Sequence, residues 1–547
     1  MDRRDVLKLL GLSAVAPMAG RFGLVGCSEV GPGVQSLQDG VPRTVQQLAP
    51  GLELALSAVP EEVSLLPGEA TSVWRFRGEV VRGRLDALRA AGESYLGPTL
   101  RLRRGERVRI RFANGLPEPS VIHWHGLDVP ESADGHPRFA FPTGVEYVYD
   151  FTVANRSGTY WYHPHPDMRT GPQVHRGLAG LLLVDDEEEA ALGLPAAESE
   201  LVCVIQDRSF DEANQFAYPE SAGMGGGPAG RGGMGRGRGM GGMGPMGMAG
   251  MTELMNGVLG DRVLVNGVPN FTAPVEAGWV RLRLLNGSNA RTYKLGWSDG
   301  RPMTVIGGDG GLLERAVSRD FLTLAPGQRA DLVQDLSDLS EGARIRLRSL
   351  AYPPEDAGNV GMMMGATMGM SAGPAHGAAL DVLTIDVRGR NTRPLRLPER
   401  LSEPGPGWDA APSAPVRRVA LAMGQMQWTL GGRTFELEGV SPEETVEAGS
   451  THVWELVNVP NPMGMAMAHP IHIHGRQFRV LGRSGGMPDS GLRAGIVDEG
   501  WTDTVLVLPG ETVRIQIRFS EHPGLYLYHC HILEHEDLGM MRNFRIV

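Results

Sequence analysis

One strand-like segment occurs three times in this 547-residue chain at equal spacing, and that repeat restricts the chain to a tandem β architecture. Val108, Ile110 and Phe112 alternate with polar residues and run into Asn114-Gly115. Val280, Leu282 and Leu284 do the same 172 residues later and end on Asn286-Gly287. A further 172 residues on, His452, Trp454 and Leu456 lead to Asn458. Gly144, Gly327 and Gly510 form a second series at a spacing of 183, followed by Glu146, Gln328 and Glu511 and by alternating strands such as Val513, Ile515, Ile517 and Phe519. Period two puts alternate side chains on one face of a strand, so each segment has one face to bury. Two series of three in the same order predict three homologous β domains.

Composition agrees. Gly (76) and Pro (39) make about a fifth of the residues without a Gly-X-Y period, which excludes collagen and helical bundles and favours turn-rich β structure. The acidic run Asp185 to Glu189 and the Pro- and Arg-rich stretch Pro394 to Pro415 mark boundaries. The expected organisation is a leader and linker over 1–45 and domains over 46–192, 193–395 and 396–547, the second carrying an insertion over 221–255. A net charge of −11 argues against a nucleic-acid partner. Three cysteines, Cys27, Cys203 and Cys530, cannot build a disulfide framework, and Cys203 in Leu201–Ile205 reads as an inert buried thiol.

The N-terminus, Met1-Asp2-Arg3-Arg4-Asp5-Val6-Leu7-Lys8 followed by an apolar stretch from Leu9 to Gly20, resembles a twin-arginine export signal. Leu24-Val25-Gly26-Cys27 also resembles a lipoprotein box, although Arg21 interrupts the apolar region before it; Cys27 is a candidate lipid anchor. No later stretch reaches the roughly 18 apolar residues of a transmembrane helix. The expected location is periplasmic or cell-surface, with no transmembrane span.

Ten of the 15 histidines fall in four clusters: His123-Trp124-His125, His163-Pro164-His165, His469-Pro470-Ile471-His472-Ile473-His474, and His529-Cys530-His531 with His535. In a strand each His-x-His pair offers two imidazoles to one site. Imidazole alone does not name the metal, but His469, Cys530, His535 and Met540 make the ligand set of a blue-copper site with a weak axial thioether. Met541 is the alternative axial residue. The string His472-Ile473-His474-Gly475 aligns with His123-Trp124-His125-Gly126, and Thr304-Val305-Ile306-Gly307 takes that place in the second repeat. The metal cluster is therefore expected where the first and third domains meet. His136, His175, His376, His452 and His522 match no motif.

These strings, together with His529-Cys530-His531-Ile532-Leu533-Glu534-His535-Glu536-Asp537-Leu538-Gly539-Met540-Met541 and Leu284 to Arg291, resemble the three-domain bacterial multicopper oxidases, above all copper efflux (cuprous) oxidases and bacterial laccases. The resemblance runs from about residue 50 to 547. It implies an all-β chain of three cupredoxin-like Greek-key β-sandwich domains and four copper ions: one type 1, one type 2 and a type 3 pair. By motif position, His123 and His472 would hold the type 2 ion, and His125, His163, His165, His474, His529 and His531 the type 3 pair. The implied mechanism takes one electron at a time at the type 1 copper, relays it from Cys530 through His529 and His531, and reduces O2 to water. Motif position also picks Asp134 and Glu536 as proton carriers, with a structural cap as the alternative for either.

The 25 methionines exceed Trp and Phe combined, which is unusual for a residue used sparingly in cores. Eight lie in or just after Gly223 to Gly250, a stretch with 15 glycines and no acid; five more lie at 362–364, 368 and 370, and Met463, Met465 and Met467 directly precede His469. Thioether sulfur favours Cu(I). Met463, Met465 and Met467 are thus candidate Cu(I) substrate ligands, and a cuprous oxidase that detoxifies copper is the leading expectation. A laccase-like oxidase of phenols and aromatic amines is the alternative. The chain departs from the copper efflux oxidases in having its Met-rich insertion early in the second domain, and Met465 where an acid is common.

Overall fold

The computed structural model describes residues 50–547 apart from 93, 196–198, 220–252, 359–373, 404–413, 425–426 and 462–465. The twin-arginine segment, Cys27, the methionines from 224 to 251 and from 362 to 370, Met463 and Met465 lie outside the described residues.

The repeated segments are the strands Arg107–Asn114, Trp279–Asn286 and Thr451–Asn458. Each occupies the same place in a sheet. A preceding strand pairs with it in parallel (Leu52–Val63, Glu200–Arg208, Val416–Gly424), and a following one antiparallel (Glu146–Thr152, Arg329–Asp335, Glu511–Arg518). The terminal asparagines explain why the repeat keeps that residue. Asn114 Nδ2 donates to the carbonyls of Glu118 and Phe141, Asn286 Nδ2 to those of Arg291 and Leu324, and Asn458 Nδ2 to those of Met467 and Val507. Each amide thereby satisfies buried loop carbonyls that would otherwise be stranded.

Each repeat closes against a second sheet, giving three cupredoxin-like Greek-key sandwiches. In the first core, Val108, Ile110 and Phe112 meet Leu100, Trp124, Tyr162 and Leu182. Leu282 and Leu284 meet Leu295, Leu347 and Ile385 in the second, and Trp454 and Leu456 meet Ile471, Tyr528 and Phe544 in the third. A fully buried aliphatic or aromatic side chain contributes about 1.5–3 kcal/mol, so these interiors carry most of the stability.

The middle sandwich differs on its outer face. The alternation Val280-Arg281-Leu282-Arg283 leads one to expect solvent-facing arginines, yet Arg281 and Arg283 are buried. Their guanidinium groups pair with Glu189, which follows the first sandwich, and with Glu200 and Asp331. The strand is covered on both sides because the first sandwich docks on it.

The alignment of Thr304–Gly307 with the histidine strings is corrected by topology. Met303–Gly308 lies in the seven-stranded sheet beside Arg329–Asp335, as Phe478–Gly485 lies beside Glu511–Arg518. The strand placed like His469–Ile473 is Tyr293–Trp297, next to Arg344–Ser349. It also carries no metal-ligating side chain, so the ligand-poor character of the middle sandwich rests on a different strand.

Candidate metal centre

Strand parity builds two sites on opposite faces of the same strands. In Ile122–His125, Ile122 and Trp124 enter the first core, which turns His123 and His125 outward. Tyr160 and Tyr162 do the same in Gly158–Pro164 and turn His163 outward, in register with His123. In the third sandwich Ile471 and Ile473 are core residues, so His472 and His474 face out. Tyr526, Tyr528 and Cys530 share the core face of Gly524–Cys530, and His529 takes the other, in register with His472. Outward faces of the first and third sandwiches meet, and the eight paired histidines are fully buried between them.

Their ring nitrogens converge across long sequence distances. His123 Nε2 lies 3.3 Å from His472 Nε2. His529 Nε2 lies 3.1 Å from His474 Nε2 and 3.3 Å from His165 Nε2. His125, His163 and His531 form a third group, with ring centroids 5.0 to 5.7 Å apart. His125 Nδ1, His163 Nε2 and His531 Nε2 are buried without a hydrogen-bond partner. Burial, reinforced by neighbouring imidazoles, holds His123, His125, His165, His474 and His531 well below the ordinary histidine range and His163 at about 3. These are neutral rings whose lone pairs face one another, an arrangement that a bound cation relieves.

The second site lies on the core face. Cys530 Sγ is 3.4 Å from His469 Nδ1 and 3.6 Å from His535 Nδ1, where His535 is delivered by the helix Leu533–Asp537. His535 Nε2 donates to the Met255 carbonyl at 3.0 Å, which leaves the Nδ1 lone pair toward the sulfur. Burial holds His469 at about 3 and pushes the Cys530 thiol up, so a thiolate here needs a cation beside it. Met540 belongs to the same core as Cys530, whereas Met541 packs apart with Phe435 and Leu527. Among the described residues, five groups have metal-ligating geometry, and His469, Cys530 and His535 form one of them.

Two carboxylates singled out by motif position sit against the large cluster. Asp134 Oδ2 is 2.8 Å from His474 Nδ1, and the Asp134 carbonyl is 2.6 Å from His123 Nδ1. Burial, with Glu131 and Asp128 adding, raises the Asp134 carboxyl well above the usual carboxylate range. Glu536 lies 3.1 Å from His529 Nδ1 and 3.4 Å from His165 Nε2. Met467 is buried and, with Met423, Trp428 and His469, lines a shallow cleft.

Sequence reasoning missed three residues. The Trp428 ring lies 4.4 Å from that of His535 and 5.0 Å from that of His469. Asp503 Oδ1 lies 3.0 Å from His125 Nε2, and the Asp503 carbonyl 2.8 Å from His472 Nδ1. Burial alone would raise Asp503, but Arg329 and His125 hold it well below the carboxylate range. Nothing in the surrounding strings marks Trp428, Asp503 or Arg329, since the groups they meet lie in other segments: His469 and His535 for Trp428, His125 for Asp503, and Asp503 for Arg329.

Comparison with known proteins agrees with this geometry. Residues 80–189 and 409–547 each match a family model described as multicopper oxidase. The multicopper oxidase mco of Staphylococcus haemolyticus (strain JCSC1435) is 31% identical over 453 residues, covering 83% of this chain and 82% of that protein. A laccase of Bacillus subtilis (strain 168) is 29% identical over 500 residues, covering 82% and 88%. The crystal structure of the McoA multicopper oxidase from the hyperthermophile Aquifex aeolicus superposes with a TM-score of 0.71 at 33% identity, covering 91% of this chain and 96% of that one.

Proposed function

Because this chain belongs to the multicopper oxidase family and is an oxidoreductase, we propose that it couples one-electron oxidation of Cu(I) to four-electron reduction of O2 to water, and so detoxifies copper. One observation carries the reading: four His-x-His pairs from two sandwiches converge on one buried pocket, and Cys530 stands between two of those histidines on the opposite face of their strand. The donor set fits copper, being neutral imidazoles with unpartnered nitrogens in the large pocket and two imidazoles, a thiol and a thioether in the small one.

His469, Cys530, His535 and Met540 would hold the type 1 ion, and His123 and His472 the type 2 ion. The type 3 pair would fall to two triads, His165, His474 and His529 for one ion and His125, His163 and His531 for the other. Bound copper would supply the one-electron chemistry and the centre for O2 reduction. Cys530 joins the two sites through its peptide bonds to His529 and His531. Four electrons require four protons, and Asp134, whose raised affinity for a proton follows from its burial, is placed beside His474 to carry them to the pocket, with Glu536 beside His529 and His165.

The described ends of the methionine-rich segments support Cu(I) as the reductant. Met255, at the end of the insertion, accepts from His535, and Ala357, just before 359–373, accepts from Ala468 N at 2.9 Å, beside His469. Met467 completes the group. The three cores, within 52–184, 203–387 and largely 419–546, support domain limits of 46–192, 193–395 and 396–547. We further read the leader as a twin-arginine export signal, with Cys27 a candidate anchor; no helix among the described residues is long and apolar enough to cross a membrane.

Steady-state O2 consumption by copper-loaded protein tests the reading. Cu(I) should outperform phenols, and deletion of 223–250 should lower Cu(I) turnover while sparing phenol turnover. A faster phenol reaction indifferent to the deletion would instead favour the laccase-like alternative, in which a small reductant meets the His469 cleft directly.

A further inference from the structure

The middle sandwich contributes no histidine to the cluster, yet it sends one side chain to the boundary of all three sandwiches. Arg329 opens the strand Arg329–Asp335 and is fully buried. Its Nε donates to the Thr159 carbonyl of the first sandwich at 2.9 Å. Within the middle sandwich, Nη1 donates to Gly327 O and Nη2 to Asp309 O, both at 3.0 Å. The same two nitrogens grip Asp503 of the third sandwich at 2.7 Å (Oδ1) and 2.5 Å (Oδ2). A planar guanidinium can fix a carboxylate at two points in this way, and an ammonium cannot.

Asp503 in turn holds one histidine from each outer sandwich, by different atoms. Its carboxylate accepts from His125 Nε2, and its backbone carbonyl accepts from His472 Nδ1. A ring that donates from one nitrogen presents a lone pair at the other. His125 therefore offers Nδ1, an unpartnered buried atom, while His472 offers Nε2 toward His123.

The glycines around this pair have the same explanation. Gly126, at φ +92°, follows His125, and a Cβ there would come within 2.5 Å of Asp503 Oδ2 and 2.7 Å of Arg329 Nη2. Gly327, at φ +83°, lets the backbone two residues before Arg329 lie against the His531 ring, which a Cβ would meet at 2.9 Å.

We propose that Arg329 is a positioning residue for the trinuclear copper centre: by its two-point grip on Asp503 it fixes His125 with Nδ1 toward the metal. The middle sandwich thus helps to build a site to which it gives no ligand. Without the fork, the neighbouring Thr504 Oγ1, 3.0 Å from Asp503 Oδ1 and 3.3 Å from His125 Nε2, holds the carboxylate at one point only, and the carboxylate can rotate away from His125.

The inference rests on the copper reading above and is tested on copper-loaded full chain carrying Arg329→Lys or Arg329→Met. Arg281→Met serves as the control, since it removes another buried arginine between sandwiches that lies away from the histidines. The measurements are copper per chain, blue absorption, the EPR signal of uncoupled copper, and the rate of copper release to a chelator. Both Arg329 variants should keep the blue absorption, lose cluster copper or its magnetic coupling, and release copper faster, in line with the about 10- to 100-fold loss of metal affinity that follows removal of a partner that orients a metal ligand. The Lys variant retains the buried charge and decides the matter if the Met variant does not fold. Wild-type copper content, coupling and release rate in Arg329→Lys would overturn the proposal. Equal loss of cluster copper in Arg281→Met, or loss of blue absorption in step with the cluster, would also overturn it in favour of general destabilisation. A wild-type chain that takes up no copper overturns the copper reading itself, and the inference with it.

Discussion

Asp134 shows how one position can be legible in sequence while its chemistry is not. The family resemblance singles it out by motif position, but only the fold buries it completely and sets its carboxylate against His474. Asp134→Asn keeps the shape and removes the exchangeable proton, so O2 reduction should slow by about 10²- to 10⁴-fold, the usual contribution of a positioned acid, with blue absorption intact. Unchanged turnover would remove Asp134 from the proton path. The adjacent methionines make a second residue-scale case. Sequence favours Met540 and keeps Met541 as the alternative, and the structure puts the first in the Cys530 core and the second against Phe435 and Leu527. Met540→Leu should shift the blue absorption and the reduction potential, and Met541→Leu should leave both alone. Each swap conserves volume and should cost under about 1.5 kcal/mol, so a melting curve separates spectral from folding effects. Trp428, Asp503 and Arg329 could not be read from the chain because each acts on a histidine from a distant segment.

At the scale of elements, period-two alternation carries most of the information. Alternation puts His529 and His531 on one face of their segment and Cys530 on the other, and the structure shows that the Cys530 face, shared with Tyr526 and Tyr528, is the core face. Parity fails to distinguish strands of similar pattern, which is why Thr304–Gly307 aligns plausibly with the histidine strings yet belongs to the other sheet. Hydrogen-bonded neighbours, not side-chain alternation, settle which strand corresponds to which. The turn after His125 is a further element-scale constraint. Gly126→Ala combines a left-handed backbone with a Cβ in the Arg329 and Asp503 pair. Overpacking at about 1–3 kcal/mol and the backbone penalty of about 1–2 kcal/mol together predict a loss of about 2–5 kcal/mol. Denaturant unfolding of Gly126→Ala measures it, and a loss below 1 kcal/mol would mean that the turn relaxes freely.

For the whole molecule, the contacts between sandwiches combine apolar clusters, such as Trp161 and Leu181 against Val204 and Leu285, with buried ion pairs, and the ion pairs make them sensitive to acid. Burial would raise Glu189, but Arg283 and Arg281 hold it at about 2, against an ordinary value of 4.5. The carboxylate therefore contributes stability that is complete above about pH 4.5 and is lost as pH falls toward about 2. Linkage limits that contribution to on the order of 3 kcal/mol. The melting temperature should fall over this window, and Glu189→Gln should lower it at neutral pH while flattening its decline in acid. An identical pH profile in both proteins would show that other groups dominate.

The residue order by itself determined the threefold β repeat, the shared face of each His-x-His pair, and a donor set that fits copper. These follow from alternation within a few residues, where the geometry of an extended chain leaves little choice. The tertiary structure decided which histidines share a pocket, as with His123 and His472, 349 positions apart. It also decided that Met540 rather than Met541 lies with Cys530, and that a ligand-free sandwich reaches the cluster through Arg329 and Asp503. Such choices depend on how three sandwiches dock, and docking is set by complementary buried surfaces and charges that no fixed spacing along the chain encodes.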